Sequence, residues 1–249
     1  MKVNILGIQI DNLKKAEALK IAEQFLSDGR QHYIVTPNPE MAVAAQKDEY
    51  FLEILNKADL SVPDGFGLIL ASRYLRRPLQ EKIHGVDLML DICRLAEQKN
   101  YSVYLLGGKE GIAKKTAENL LKKFPKLRIA GAESGGIINE QQLATNNQQL
   151  NFTRPDILFV AFGAEKQEKW IVQNLNNIPS IKIAMGVGGA FDFISGKIKR
   201  APKWIQKIGL EWLWRLFMQP WRWKRILTAT IKFSWLVITK DKKRREASS

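Results

Sequence analysis

Cysteine and histidine are nearly absent: the 249 residues hold Cys93 alone and two histidines, His32 and His84. One thiol excludes an internal disulfide framework and a cysteine-rich metal site. It fits a reducing compartment, and a small buried residue is its simplest role. Neither histidine is read as standing at ligand spacing from carboxylates or from the cysteine. No D-x-D pair occurs, so nothing resembles the carboxylates that hold Mg²⁺ or Mn²⁺ on a diphosphate. No metal and no cofactor is expected. There is no G-x-S-x-G elbow and no Ser-His-Asp set, which excludes the common hydrolase arrangement. Long hydrophobic runs are missing as well. After Pro220 the longest uncharged stretches are Ile226–Ile231 and, beyond Lys232, Phe233–Thr239, both far short of the ~20 residues of a membrane span. The start, "MKVNILGIQIDN", has no small-residue cleavage site of a secretory signal.

Acidic residues become scarce towards the end. From Lys197 onward fifteen Lys and Arg face three acids (Glu211, Asp241, Glu246), so most of the formal charge of +14 lies in the last fifth of the chain. Six of the 7 tryptophans are there too: Trp204, Trp212, Trp214, Trp221, Trp223 and Trp235. The rest is near neutral, and a hydrophobic content of 45% supports a real core. The expected division is a globular core at 1–196, a helical appendage at 197–239 and a disordered basic tail at 240–249.

Before Lys197, short β-rich runs alternate with longer amphipathic ones. Strands are expected at Val3–Ile10, Tyr33–Thr36, Leu60–Val62, Val103–Gly107, Leu127–Ala130, Ile157–Phe162 and Ile181–Val187. Helices are expected at Lys14–Leu26, Val86–Gln98, Ile112–Phe124 and Lys166–Leu175. This alternation predicts an α/β fold, a mostly parallel sheet with helices on both faces. Ligands of such sheets bind beyond the carboxyl ends of the strands, and five strand ends carry unusual residues. "TPNPE" brackets Asn38 between two prolines, each of which fixes its own φ and restricts its neighbour; the loop rigidly presents Thr36 and Asn38. "PDGFG" holds Asp64, either a cap for the helix that follows or a general base at the rim. "LLGGKEG" runs a strand through Gly107 and Gly108 into a helix start, a geometry suited to phosphate, though the dinucleotide spacing fails. "FGAEKQEKW" places Lys166 and Gln167 after Gly163 in a first helical turn, where an amide and free N–H groups suit a diphosphate or a sugar. "GVGGAFD" closes the set.

The tail mixes tryptophan, long aliphatics and basic residues. That combination suits a membrane interface, and each basic residue near an anionic leaflet adds about 1 kcal/mol. A packed helical extension and a nucleic-acid surface are the competing readings. The aliphatics beside the tryptophans argue against RNA, so no nucleic-acid partner is expected. An apolar helical tail also suits packing against a second copy of the chain.

Together "VTPNPEM", "PDGFG", "LLGGKEG", "AFGAEKQEKW" and "GVGGAFDFISGKIKRAPKWIQKIGLEWLWRL" resemble the WecG/TagA/CpsF glycosyltransferases, in motif order over roughly residues 3 to 226. The resemblance implies a Rossmann-like core with a membrane-directed appendage. It also implies inverting, metal-independent transfer of an N-acetylmannosamine-type or related sugar from a UDP donor to a polyprenyl-diphosphate-linked saccharide. Such chemistry serves teichoic acid or exopolysaccharide assembly at the inner face of the cell membrane, by a cytoplasmic, peripherally bound enzyme. By position it implies Asp64 as the catalytic base and Thr36 and Asn38 as active-site groups. Gln167 and Asp192 match further site residues, and Arg215, Arg222 and Arg225 match the appendage arginines that bind diphosphate. One departure is Lys82, where many members have arginine; the charge stays but the forked donor is lost. His84 replaces what is commonly threonine or alanine. A nucleotide sensor without turnover uses the same cleft and is the rival reading.

Overall fold

The computed structural model describes residues 1–134, 148–207 and 209–246, without the side chains of Lys207, Arg215, Arg222 and 241–246. The expected strand Val3–Ile10 is instead a hairpin, β1 (Lys2–Ile5) and β2 (Ile8–Asp11). Leu6 and Gly7 both take positive φ, 53° and 89°, the two-residue turn that matches strand twist. The buried residues show why one strand fails: Val3 and Ile5 are odd-numbered, Ile8 and Ile10 even-numbered. An unbroken strand puts alternate residues on opposite faces, so this change of phase demands a turn.

The remaining strands are β3 (His32–Val35), β4 (Leu60–Ser61), β5 (Ser102–Gly107), β6 (Arg128–Glu133), β7 (Ile157–Ala161) and β8 (Ile183–Gly186). They form one parallel sheet of 6 strands in the order β4-β3-β8-β7-β5-β6. Every residue of β5, β7 and β8 is buried, as strands covered on both faces must be. Alternation sorts their side chains. Leu105, Phe159 and Met185 pack with Ala18, Leu88, Ile92 and Leu120 of the helices Lys15–Phe25, Gly85–Lys99 and Ile112–Lys123. Leu106, Leu158 and Ala184 pack with Trp170 and Ile171 of the helix Lys166–Asn174 on the other face.

The carboxyl ends of β4, β3, β8 and β7 are neighbours in the sheet. All five unusual loops therefore leave one rim, and four of them leave these adjacent strands, which come from both ends of the core sequence.

The tail is helical, with segments at Lys203–Lys207, Glu211–Met218 and Trp223–Leu227, a π-turn stretch at Thr228–Lys232 and a last helix at Phe233–Glu246. It returns to the core. Phe233 and Val237, one helical turn apart, are buried against Val35, Met41 and Leu68. The last helix runs through most of the segment expected to be disordered from residue 240; only 247–249 lie outside the described residues. No helix among the described residues is long and apolar enough to cross a membrane.

Candidate active site

β3 delivers Thr36 to the rim, 7% exposed. Asn38 follows in extended backbone, as a residue before proline must, and its Oδ1 accepts the Met41 N–H at 3.0 Å. Part of the rigidity of "TPNP" is thus helix capping, with Pro39 at the first position of the helix Pro39–Ala44. The next loop is tied to it, since the Asp64 N–H donates to the Pro37 carbonyl at 2.8 Å.

Asp64 does not cap the helix that follows it. Gly65 is that N-cap, with φ at 105°, and its missing side chain is what allows the conformation. The carboxylate turns to another helix: its Oδ2 accepts the N–H of Gly85, first residue of Gly85–Lys99, at 3.2 Å. A negative charge is stabilised at a helix N-terminus. A methyl group on Gly85 would lie 3.3 Å from Thr36 Oγ1 and 3.4 Å from Asp64 Oδ2. The hydroxyl and the carboxylate therefore converge over Gly85.

Around them the cleft is lined by Asn38, Lys82, His84, Gly163, Gln167 and the Gly188–Gly189 turn. Lys82 donates to the Gln206 carbonyl at 3.1 Å. Partial burial pushes its ammonium below the usual lysine value, against the pull of Glu211 and Asp64. The tail forms a wall of the same cleft through Gly209, Glu211, Trp212, Arg225, Ile226 and Ala229. Arg225 grips Glu40 of the "TPNPEM" loop with a fork, Nε to Oε1 at 2.7 Å and Nη2 to Oε2 at 2.9 Å.

Gln167, which lines the cleft, also holds the rim together. It is buried, its Oε1 accepts the Gly188 N–H at 2.9 Å, and its Nε2 donates to Glu168 Oε1 at 2.7 Å. Both ends of the amide are engaged, so Gln167 staples the rim loop after β7 to the one after β8. Glu168 also accepts the Glu165 N–H at 2.8 Å, and burial pushes its carboxyl up to about 7.

The glycines expected to cradle phosphate are structural. A Cβ on Gly107 would lie 2.8 Å from the Ala161 carbonyl group, so glycine lets β5 approach β7. The Gly108 N–H is already spent on the Ala161 carbonyl at 2.9 Å. Neither residue lines the cleft, nor do Lys166, exposed on its helix, or Asp192, although its neighbours Ala190 and Phe193 do. The side chains of Arg215 and Arg222 lie outside the described residues.

Local spacing does not single out Glu40, Glu211 or the partners of the histidines. His84 Nδ1 stands 3.3 Å from Glu211 Oε2 and 3.6 Å from Asp64 Oδ1. His32, at the far end of the sheet, stands between Asp28 and Asp59 at 2.9 and 3.0 Å. One signal for Glu211 was present: it is the first of only three acids in the basic tail.

The chain that forms this cleft is similar in sequence to known proteins. The family model described as "Glycosyl transferase WecG/TagA/CpsF family" matches residues 3–247. An N-acetylglucosaminyldiphosphoundecaprenol N-acetyl-beta-D-mannosaminyltransferase of Bacillus subtilis (strain 168) is 35% identical over 212 residues, 85% of this chain and 81% of the relative. The protein of the same name from Staphylococcus aureus (strain MRSA252) is 33% identical over 227 residues, 90% and 87% of the two chains. The chain belongs to the WecG/TagA/CpsF family of glycosyl transferases.

Proposed function

We propose that this glycosyltransferase moves N-acetylmannosamine from a UDP donor to the N-acetylglucosamine of a polyprenyl-diphosphate-linked acceptor, with inversion and without a metal ion. The convergence of Asp64 and Thr36 over Gly85 carries the reading. The names of the relatives supply the sugar and the acceptor.

Asp64 takes the proton of the attacking acceptor hydroxyl, a general-base contribution of about 10²–10⁴-fold. The hydroxyl oxygen forms its bond to the anomeric carbon as the bond to the UDP oxygen breaks on the opposite face. UDP leaves with the electron pair, and an α-linked donor yields the β-linked product printed in the relatives' names. Thr36, buried and fixed between strand and proline, orients a reacting hydroxyl; misplacing reactants by ~1 Å costs about 10²-fold. Charge developing on the diphosphate meets cations of the protein. Lys82 and Arg225 line the cleft, and Arg225 exchanges Glu40 for the diphosphate when donor enters. Fixed charges of this kind stabilise a leaving group without reorganisation. The sequence has no D-x-D pair to bring a metal there.

The acceptor is a lipid, so the cleft must meet a membrane. The tail wall suits such contact, with Trp221 73% and Phe217 75% exposed among basic residues. The protein is proposed to lie on the inner face of the cell membrane, with the core 1–196 above it and the tail helices at the interface.

The test is UDP release by the full chain with UDP-N-acetylmannosamine and a polyprenyl-diphosphate-GlcNAc analogue, beside Asp64→Asn. The expected result is acceptor-dependent release, indifferent to EDTA and lost in the variant, with UDP binding retained. Release lost with EDTA would end the metal-free mechanism. Silence with every donor in the presence of lipid would replace transfer by nucleotide sensing.

A further inference from the structure

The mechanism above leaves His84 without a role, yet its ring stands between the proposed base and the first acid of the tail. Ionised carboxylates only accept hydrogen bonds. His84 Nδ1 stands 3.3 Å from Glu211 Oε2 and 3.6 Å from Asp64 Oδ1, ion-pair distances at which both carboxylates favour a proton on that nitrogen. Glu211 is itself held, because its Oε1 accepts Arg200 Nε at 3.2 Å while Arg200 Nη2 reaches Asp87 Oδ2 at 2.9 Å. The charges facing the ring are Asp64, Glu211 and Asp87, with Lys82 and Arg200 as the cations among them. Most of these groups are half-buried, where hydrogen-bonded charges interact more strongly than in water.

Two ends of this chain have different owners. Asp64, His84 and Asp87 sit on the core, at the N-terminus of Gly85–Lys99, whereas Glu211 opens the tail helix Glu211–Met218. We propose that His84 is a positioning residue that makes the alignment of Asp64 depend on a docked tail. Glu211 orients the imidazole, and the imidazole steadies the carboxylate oxygen that the Gly85 N–H does not hold. When the tail helix lifts, Glu211 leaves with it, the ring loses its orienting partner, and Asp64 keeps only one fixed oxygen. The base is then aligned only while the wall that meets the lipid acceptor is in place. The inference rests on the transferase reading for what Asp64 does.

The experiment compares wild type, His84→Ala, Glu211→Gln and the double variant of the full chain, measuring kcat, KM and Tm with the donor and acceptor analogue above. Each single variant is expected to lower kcat about 10- to 100-fold, the cost of a misaligned base, with KM for donor unchanged. The double variant should be no slower than His84→Ala, and the Tm shifts should be non-additive, as for residues in one network. A loss confined to KM, or losses in kcat that multiply, overturns the role. Additive Tm shifts overturn the contact itself, without any substrate. A silent wild type with non-additive Tm shifts instead condemns the transferase reading, and the positioning role with it, while leaving the link between tail and core standing.

Discussion

At Gly85 the two polar side chains of the cleft leave little room for a methyl group, which would meet Thr36 Oγ1 at 3.3 Å and Asp64 Oδ2 at 3.4 Å. The position is the first of a helix, and its backbone is one that any residue adopts. Alanine there favours the helix by up to about 1 kcal/mol. Gly85→Ala is therefore expected to keep or raise Tm while cutting kcat about 10²-fold through displacement of the base and the hydroxyl. Equal losses in Tm and activity, followed by thermal melts and UDP release, would mean the glycine serves the fold. Residue types at this scale were partly legible. Asp64 and Thr36 stood out because proline and glycine flank them, and both lie in the cleft. Gln167 stood out equally and lines the cleft, but its amide also ties Gly188 to Glu168; a hydrogen-bond partner 21 residues away leaves no mark on local spacing. His84 and Glu211 are 127 residues apart, so no pattern pairs them.

Among elements, the helix Lys166–Asn174 shows what a rim loop demands. Its first turn buries Glu168 against Gln167 while Gly186 passes so close that a Cβ there would lie 2.7 Å from both side chains. Burial raises the Glu168 carboxyl from an ordinary 4.5 to about 7. A folded value above the unfolded one means the contribution to stability is whole below pH 4.5 and is lost as pH rises through about 7. The wild type should accordingly lose up to about 3 kcal/mol between about pH 4.5 and about pH 8 from this group. Glu168→Gln, which points an amide N–H at a donor, should melt lower overall but with a flatter dependence on pH; parallel melting curves would exclude Glu168 as the source. The same scale explains the misread hairpin. The strand period was visible in Val3, Ile5, Ile8 and Ile10, and only its change of phase at Leu6–Gly7 revealed the turn. It explains the glycines as well: "LLGGKEG" has the letters of an anion loop, but β5 lies next to β7, and that contact uses them both.

For the whole molecule the distribution of charge matters most. The basic tail forms a wall of the cleft and presents Trp204, Phe217, Trp221 and Trp235 outward. Basic residues add about 1 kcal/mol each near an anionic surface, an attraction that salt screens. Co-sedimentation with vesicles of phosphatidylglycerol should therefore be strong at low salt, weak at high salt and weaker in Trp221→Ser. Binding unaffected by salt or by that substitution would move the interface elsewhere. What the amino-acid sequence determined by itself was the alternation of strands and helices, the parallel sheet, the rim position of Asp64 and Thr36 and the basic, aromatic character of the tail. Each follows from local periodicity, turn chemistry or composition, which act over a few residues. Tertiary structure alone decided which loops share the cleft, which glycines and amides were already spent on the fold, and that the tail packs back through Phe233 and Val237 to bring Glu211 against His84. These depend on strand order and on contacts between residues far apart in the chain, which close packing sets and sequence spacing does not record.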